Sequence, residues 1–324
     1  MSNPKVSIIV PNYNHAPFLK ERIESILNQT FQDFELILLD DASTDKSREI
    51  LKSYKTCPKV SQILFNEQNS GGVFRQWDKG ISLAKADYIW IAESDDCSTT
   101  TFLETVVNEM DKNPRASVCF TGSYMIDSNS QQTSLDYDTF WVKRSIPEGS
   151  VRVFPGLQYL KHSLSWDCRI YNASSAIFRR HFYSHANKAF LSFKYCGDWF
   201  FWSELCRFGE IIEITKKLNY FRQSNLRTTF KSYKEGDNYK EAFKVINHNF
   251  EIMPFGWYRR YMILGHWLRK TRKDQTLNTN IKKTIYSAFN KEFGTRWLPF
   301  AIERINKFFA PYCSKLLLPE RDRL

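Results

Sequence analysis

The chain has 324 residues, 42% of them hydrophobic and 25% charged, which excludes a disordered polymer and leaves ample material for a core. Its seven cysteines are scattered without a CxxC pair, excluding a disulfide framework and a zinc cage. No apolar run reaches the about 18 residues of a membrane span and no leader-like segment opens the chain, so a cytoplasmic setting is expected.

The first strand is read at 5–10 (KVSIIV), a β-branched apolar run ending at Pro11. Helical spacing follows from Phe18 to Gln29, then a second strand from Phe34 to Leu39 that stops at Asp40-Asp41. Ser43 reads as the N-cap of a helix from Thr44 to Tyr54. A third strand covers Val60–Phe65, Gly71-Gly72 open a helix through Ala84, and a fourth strand, Tyr88–Ala92, runs into Glu93-Ser94-Asp95-Asp96. Further elements are a helix at 101–112, strands at 117–121 and 174–179, a polar loop at 128–150, a helix at 198–208, and strands at 210–214 and 218–222. From Tyr233 onward the signal is helical, broken near Pro254, Asn278 and Pro311.

This alternation predicts an α/β fold with a doubly wound, mainly parallel sheet over residues 1–225, followed by a helical region at 226–324. Charge divides at the same place. Residues 1–225 hold 26 basic and 26 acidic side chains, whereas 226–324 hold 20 and 9 and so carry all of the formal +11.

Polar residues cluster where strands end, the edge at which open α/β sheets bind ligands. Pro11, Asn12, Tyr13 and Asn14 offer an aromatic face for a base, and Asp41 a carboxylate for ring N–H or ribose hydroxyls. Gly72 and Arg75 stand at a helix start, suited to phosphate. Asp95 and Asp96 supply hard oxygen ligands for Mn²⁺ or Mg²⁺ against a diphosphate. Asp198, opening an aromatic helix in GDWFFW, is a candidate general base. Trp199 and Trp202 read equally as core or as acceptor platform.

The segments VSIIVPNYNHAPFLKERIESILNQTFQDFELILLDDASTD, GGVFRQWDKGISLAKADYIWIAESDD and GDWFFW resemble family-two inverting glycosyltransferases of the GT-A fold. The resemblance covers about residues 4–225 and is densest in the first 100. It implies that Pro11, Tyr13 and Asp41 surround a base, Asp95 contacts ribose or metal-bound water, Asp96 binds the metal, and Asp198 is the base of one inverting displacement. Two positions depart from the family pattern. Glu93 stands where many members have Asp, and Ser224 where many have His, with Arg222 or Asn225 as candidate substitutes. The absence of a QxxRW signature and of a spanning helix argues against a processive synthase.

The expected partners are a nucleotide-sugar donor, UDP-linked by preference, and a saccharide or lipid-linked acceptor in surface polysaccharide or lipopolysaccharide synthesis. The basic, aromatic stretches 257–273 and 297–318 suggest peripheral contact with an anionic membrane; no motif supports nucleic acid. An inactive nucleotide-sugar-binding or scaffold protein is the alternative, favoured by Ser224 and opposed by Asp96 and Asp198.

Overall fold

The computed structural model describes residues 3–139, 145–223 and 235–309. They fall into two compact units. The first comprises Met1–Pro155, Ile170–Lys194 and Phe208–Ser224; the second comprises Gly156–Arg169, Tyr195–Arg207 and Asn225–Leu324. Asp198 therefore belongs to the second unit.

The first unit is built on one sheet of nine strands. Strands β1 (Val6–Asn12), β2 (Phe34–Asp40), β3 (Val60–Phe65) and β4 (Tyr88–Ile91) are parallel, in the order β3-β2-β1-β4. The chain leaves β1 toward β2 and β3, then returns to β1's other side as β4. This reversal is the switch point at which a crevice opens beyond the strand ends. Past β4 the sheet is mixed: β8 (Ala176–Arg179) is antiparallel to β4 and to β6 (Ala116–Ile126). The 13-residue β9 (Glu210–Arg222) runs parallel to β6, with β5 (Cys97–Ser98) and β7 (Val151–Pro155) antiparallel on it.

β1, β2 and β4 are buried along their whole length, as expected for strands covered on both faces. The helices α1 (Ala16–Leu27), α2 (Ser47–Ser53), α3 (Val73–Leu83) and α4 (Phe102–Lys112) supply the cover. α1 and α4 contribute Leu19, Ile23, Ile26, Leu103, Val106 and Val107 to a core shared with Val6, Ile8, Leu36 and Trp90.

Local readings of the sequence shift in four places. β1 runs on through Pro11, which pairs in register with Leu39. Ser43 caps nothing: α2 starts four residues later, and the Ser43 hydroxyl instead accepts from Asn12 Nδ2 and the Asn14 N–H. The cap-like role passes to Asp45, which accepts from Ala16 N and Ser47 N at the starts of α1 and α2. β9 is one strand rather than two. A register shift against β6 lets Lys216 and Lys217 leave the buried row without ending the ladder.

The second unit holds α5 (Gly197–Leu205), α6 (Asp237–Ile252), α7 (Trp257–Lys273), α8 (Thr279–Phe293) and α9 (Trp297–Phe309). α5 is apolar almost all round and correspondingly buried on every side. Its Trp199 is core, with Nε1 donating to Leu164 O and the ring stacked on Trp267; Trp202 is fully buried, so both tryptophans pack the interior. Asn278 caps α8 by accepting from Ile281 N. Pro311 lies outside the described residues.

Helix α3 meets β1 closely at Gly80. A Cβ there would sit 2.3 Å from Ile9 Cγ2 and 3.0 Å from Cγ1, in the fully buried middle of β1. Overpacking of this kind costs about 1–3 kcal/mol, more than the about 1 kcal/mol of helix propensity that alanine regains. Gly80→Ala is accordingly expected to lower the urea midpoint of the first unit while leaving the denaturant slope unchanged; an unchanged or raised midpoint would show that β1 and α3 are not so closely opposed.

Candidate functional site

Because β1, β2 and β4 are parallel and in register (Asn12 opposite Asp40, Ile9 opposite Ile91), their exits share one edge of the sheet. Tyr13 and Asn14, Asp41, and the Glu93–Asp96 turn are thereby brought together, as the sequence predicts.

At the β1 exit the Tyr13 ring is half exposed, and Pro11 is buried in the strand. Asn14 takes a left-handed conformation (φ 57°), and its side chain accepts from Thr44 N at 2.8 Å. Its amide thus shapes the 43–45 turn. Ala42, with φ 62°, bends the chain after Asp41 in the same strained way.

Asp40 and Asp41, adjacent in sequence, have separate work. Asp40 is fully buried and accepts from Asn12 Nδ2, Ser43 N and Arg48 Nε, which fixes the strand end. Asp41 Oδ1 accepts from Asn66 Nδ2, Ser70 N and Gln76 Nε2, while Oδ2 accepts from Ser70 Oγ at 2.7 Å. Oδ2 retains acceptor capacity, and the four bonds anchor the loop carrying Gly71 and Gly72. Gly71 needs its positive φ of 86°, and Gly72 is the N-cap residue of α3. Arg75, one turn into α3, is exposed, and its Nη1 donates to Ser70 O.

The acid turn after β4 brings three carboxyls close together in a partly to fully buried setting. Asp96 is buried; its Oδ2 accepts from Asn172 Nδ2 and Ser174 Oγ, and its Oδ1 from Arg222 N. Burial, then the nearby Asp95 charge, push its carboxyl up to about 6 against these bonds. Burial and Asp95 also push Glu93 up to about 8, although its carboxylate accepts from Trp77 Nε1 at 2.8 Å. Asp95 is partly exposed, and its carboxylate accepts no hydrogen bond from any described residue. Of these neighbouring carboxylates, that of Asp96 is engaged on both oxygens and that of Asp95 is uncommitted among the described residues. Among the described residues no group of three or more His, Cys, Asp or Glu is arranged to hold a metal ion by itself.

Four neighbours of this turn carry no motif. Arg22 on α1 is fully buried 4.7 Å over the Trp90 ring, and none of its guanidinium nitrogens has a hydrogen-bond partner among the described residues. Burial lowers its pKa, opposed by the charges of Asp96, Cys97, Glu93 and Asp95. His15 Nδ1 meets Ser94 Oγ at 2.8 Å and links the β1 exit to the acid turn. Asn172 and Ser174 reach Asp96 from the segment entering β8. Only an apolar helix row broken by Arg22 could have flagged the first of these; nothing flags the others.

Arg222 does not substitute for a metal- or diphosphate-contacting histidine. Its Nε donates to Asp95 O, Nη1 to Asp127 O and Ser130 Oγ, and Nη2 to Glu21 Oε2, with the guanidinium over Phe18. Its donors are consumed in holding the acid turn to β9. Ser224 and Asn225 lie outside the described residues.

In the second unit, Asp198 opens α5, and its Oδ1 accepts from Trp199 N at 2.7 Å. Burial pushes the carboxyl up to about 7, with Glu241 adding to the rise and the Trp199 N–H opposing it. The N–H groups that lead into the helix are taken by Glu241 of α6, whose Oε2 accepts from Tyr195 N and Cys196 N. Asp198 thus meets an N–H inside the first turn, and Glu241 meets the two that precede it.

Comparison with known proteins agrees with this geometry. A family model described as Glycosyl transferase family 2 matches residues 7–185. The chain is 39% identical over 105 residues to the glycosyltransferase GlyG of Streptococcus pneumoniae serotype 4, covering 32% of this chain and 35% of that protein. It is 28% identical over 198 residues to the poly(ribitol-phosphate) beta-glucosyltransferase of Bacillus spizizenii, covering 59% and 31%. The chain spans from 31% to 45% of the length of the first curated relatives it matches. In fold it is similar to residues 1–349 of S. aureus TarS, solved in complex with UDP-GlcNAc, with a TM-score of 0.60 at 16% identity over 94% of this chain and 92% of that one. With more than half of its length matched by the family model, the chain belongs to glycosyl transferase family 2.

Proposed function

We propose that the chain is an inverting, metal-assisted glycosyltransferase. It would move a sugar from a UDP-sugar to a hydroxyl of a saccharide or lipid-linked acceptor in building surface polysaccharide or lipopolysaccharide. The observation that carries this reading is the convergence of a half-exposed Tyr13 ring, the anchored Asp41 and the Asp95–Asp96 pair at the switch-point edge of β1, β2 and β4. Relatives named for transfer onto poly(ribitol-phosphate) and for teichuronic acid biosynthesis support the substrate class, as does the UDP-GlcNAc complex of TarS.

In this reading Tyr13 stacks on the base, with Pro11 and Asn14 shaping its bed, and Asp41 Oδ2 accepts a ring N–H. The diphosphate lies toward Gly72 and the remaining guanidinium donors of Arg75. The donor set fits Mn²⁺ or Mg²⁺, which are commonly held by one or two carboxylates together with substrate phosphates. Glu93 and Asp96, both pushed upward by burial and by the nearby Asp95 charge, make a place where a cation relieves repulsion. Such a cation, when bound, stabilises the charge that gathers on the departing nucleoside diphosphate. Asp95 and Asp96 would hold it.

The base is Asp198. A carboxyl held near 7 is half ionised at neutral pH and strong enough to take the proton that the acceptor hydroxyl sheds. The enzyme would work in the cytoplasm, touching the inner face of the cell membrane through residues 226–324, with no nucleic-acid partner.

Donor recognition is tested by thermal shift with UDP-sugars and UDP, with and without Mn²⁺. The midpoint should rise with ligand and rise further with the metal, and Asp95→Asn with Asp96→Asn should abolish the metal-dependent part. No shift with any nucleoside diphosphate would remove the reading. Donor binding with no transfer to any acceptor would favour the inactive binding protein.

Asp198→Asn should keep donor affinity and reduce transfer by about 10²–10⁴-fold. In the wild type kcat should climb with pH through an apparent pKa near 7. The same shift has a stability consequence of fixed sign. The folded state binds this proton more tightly than the unfolded chain, so the stability it contributes is full below about pH 4 and is lost as pH rises through about 7. Asp198→Asn should therefore flatten the decline in melting temperature across that window. Transfer that survives the substitution would assign the base elsewhere.

A further inference from the structure

α9 is packed inside out. Its residues Glu303 and Asn306 are only 5% and 7% exposed, whereas Trp297 is 74% and Phe308 70% exposed, with Leu298 and Ile305 also open to solvent. Trp297, Ala301, Ile305 and Phe308 are spaced by four, four and three residues, so they form one continuous stripe on the outer side.

The inversion is built in, because the polar inner face has specific partners on α7. Glu303 forms an ion pair with Arg269, and Tyr258 Oη donates to Asn306 Oδ1 at 2.7 Å. Gly265 of α7 lets the helices close up: a Cβ there would lie 2.5 Å from both Glu303 Cβ and Pro299 O. Tyr258 meeting Asn306 while Arg272 lies over Phe300 shows that the two helices run antiparallel. That places Trp257, itself 67% exposed, at the Phe308 end of the stripe. A helix so fixed cannot roll its apolar side inward without breaking the half-buried Glu303–Arg269 ion pair and the Tyr258–Asn306 hydrogen bond, so the stripe faces outward by construction.

We propose that this stripe is the docking surface for an anionic lipid bilayer, a proposal that rests on the membrane contact in the functional reading and assigns it to particular residues. Two observations favour lipid over a second copy of the chain. Arg304 and Lys307 are exposed beside the stripe, within a segment, 226–324, that holds 20 basic and 9 acidic residues; two such surfaces repel each other but attract acidic headgroups. The stripe is also small: one helix wide and, at 13 residues, about 20 Å long. That is well short of the roughly 800 Å² per partner that a stable protein interface needs. Exposed Trp and Phe with flanking Arg and Lys are the side chains that settle at a lipid–water boundary. No helix among the described residues is long and apolar enough to cross a membrane, so the contact would lie in the plane of the surface.

The test is flotation of the full chain with vesicles of phosphatidylcholine alone or with about one third phosphatidylglycerol, at low and high salt. The wild type should float with the anionic vesicles, and less so as salt rises. Trp297→Ser combined with Phe308→Ser should lower the partition coefficient by about tenfold or more, and Arg304→Gln with Lys307→Gln should weaken it less and reduce its salt dependence. All substituted positions are exposed, and retained UDP binding and melting temperature confirm the fold. Undiminished flotation of the Trp/Phe variant would overturn this assignment while leaving membrane contact intact. Failure of the wild type to float would overturn both, without touching sugar transfer. A concentration-dependent dimer that the Trp/Phe variant abolishes would identify a second copy as the occupant and overturn the lipid.

Discussion

A carboxylate taken out of water must be met by donors or give up its charge, and that requirement at Asp96 organises the first unit. Its three donors come from parts of the chain far apart in sequence: Asn172 and Ser174 before β8, and the backbone of Arg222 at the end of β9. The Arg222 side chain then extends the same clamp, reaching Asp95 O, Asp127 O and Glu21 from one buried guanidinium. Removing one donor from such a buried carboxylate costs about 1.5–3 kcal/mol, the range for hydrogen bonds to charged groups. The clamp fixes the backbone of Asp95 while leaving its carboxylate unbonded among the described residues. The result is a fixed frame with one uncommitted carboxylate at its edge.

The same reasoning separates the two aspartates after β2. Asp40 faces inward and is spent on Asn12, Ser43 and Arg48; Asp41 faces the loop at 66–76 and spends Oδ1 on it. Asp41 Oδ2, with one bond from Ser70 Oγ, keeps acceptor capacity. The loop that carries Gly72 and Arg75 is therefore positioned by Asp41, so loss of that carboxylate would disturb the strand end and the loop at once.

What can be read from the sequence follows from what is local. β1 to β4 are short apolar runs with abrupt polar ends, and their parallel order follows from the helices between them, so the site-bearing edge is legible in the residues alone. β5 is two residues long, β7 is a half-exposed strand on β9, and β9 hides its continuity behind Lys216 and Lys217 at a register shift. None of these leaves a periodic signal. Ser43 has the residue type of a cap, and residue type is how caps are recognised, while its actual partners, Asn12 and Asn14, are about thirty positions away. Glu241 leaves no local signal for the same reason: it completes the start of α5 from another helix.

α5 and α9 show how far burial can depart from residue type when a partner is in place. In α5 an aromatic helix is buried on all sides, and the one carboxyl at its start is forced upward by that apolar setting, with Glu241 adding like charge. In α9 the separation of apolar from polar residues into two faces is clear from the sequence, and the ordinary inference is that the apolar side faces the protein. The opposite holds because Arg269 and Tyr258 present charge and a hydroxyl to Glu303 and Asn306, and Gly265 removes the side chain that would keep the helices apart. An amphipathic pattern therefore gives the existence of two faces but not which of them turns inward; the partner helix decides that. Where it selects the polar face, the apolar stripe left outside is held there by the fold.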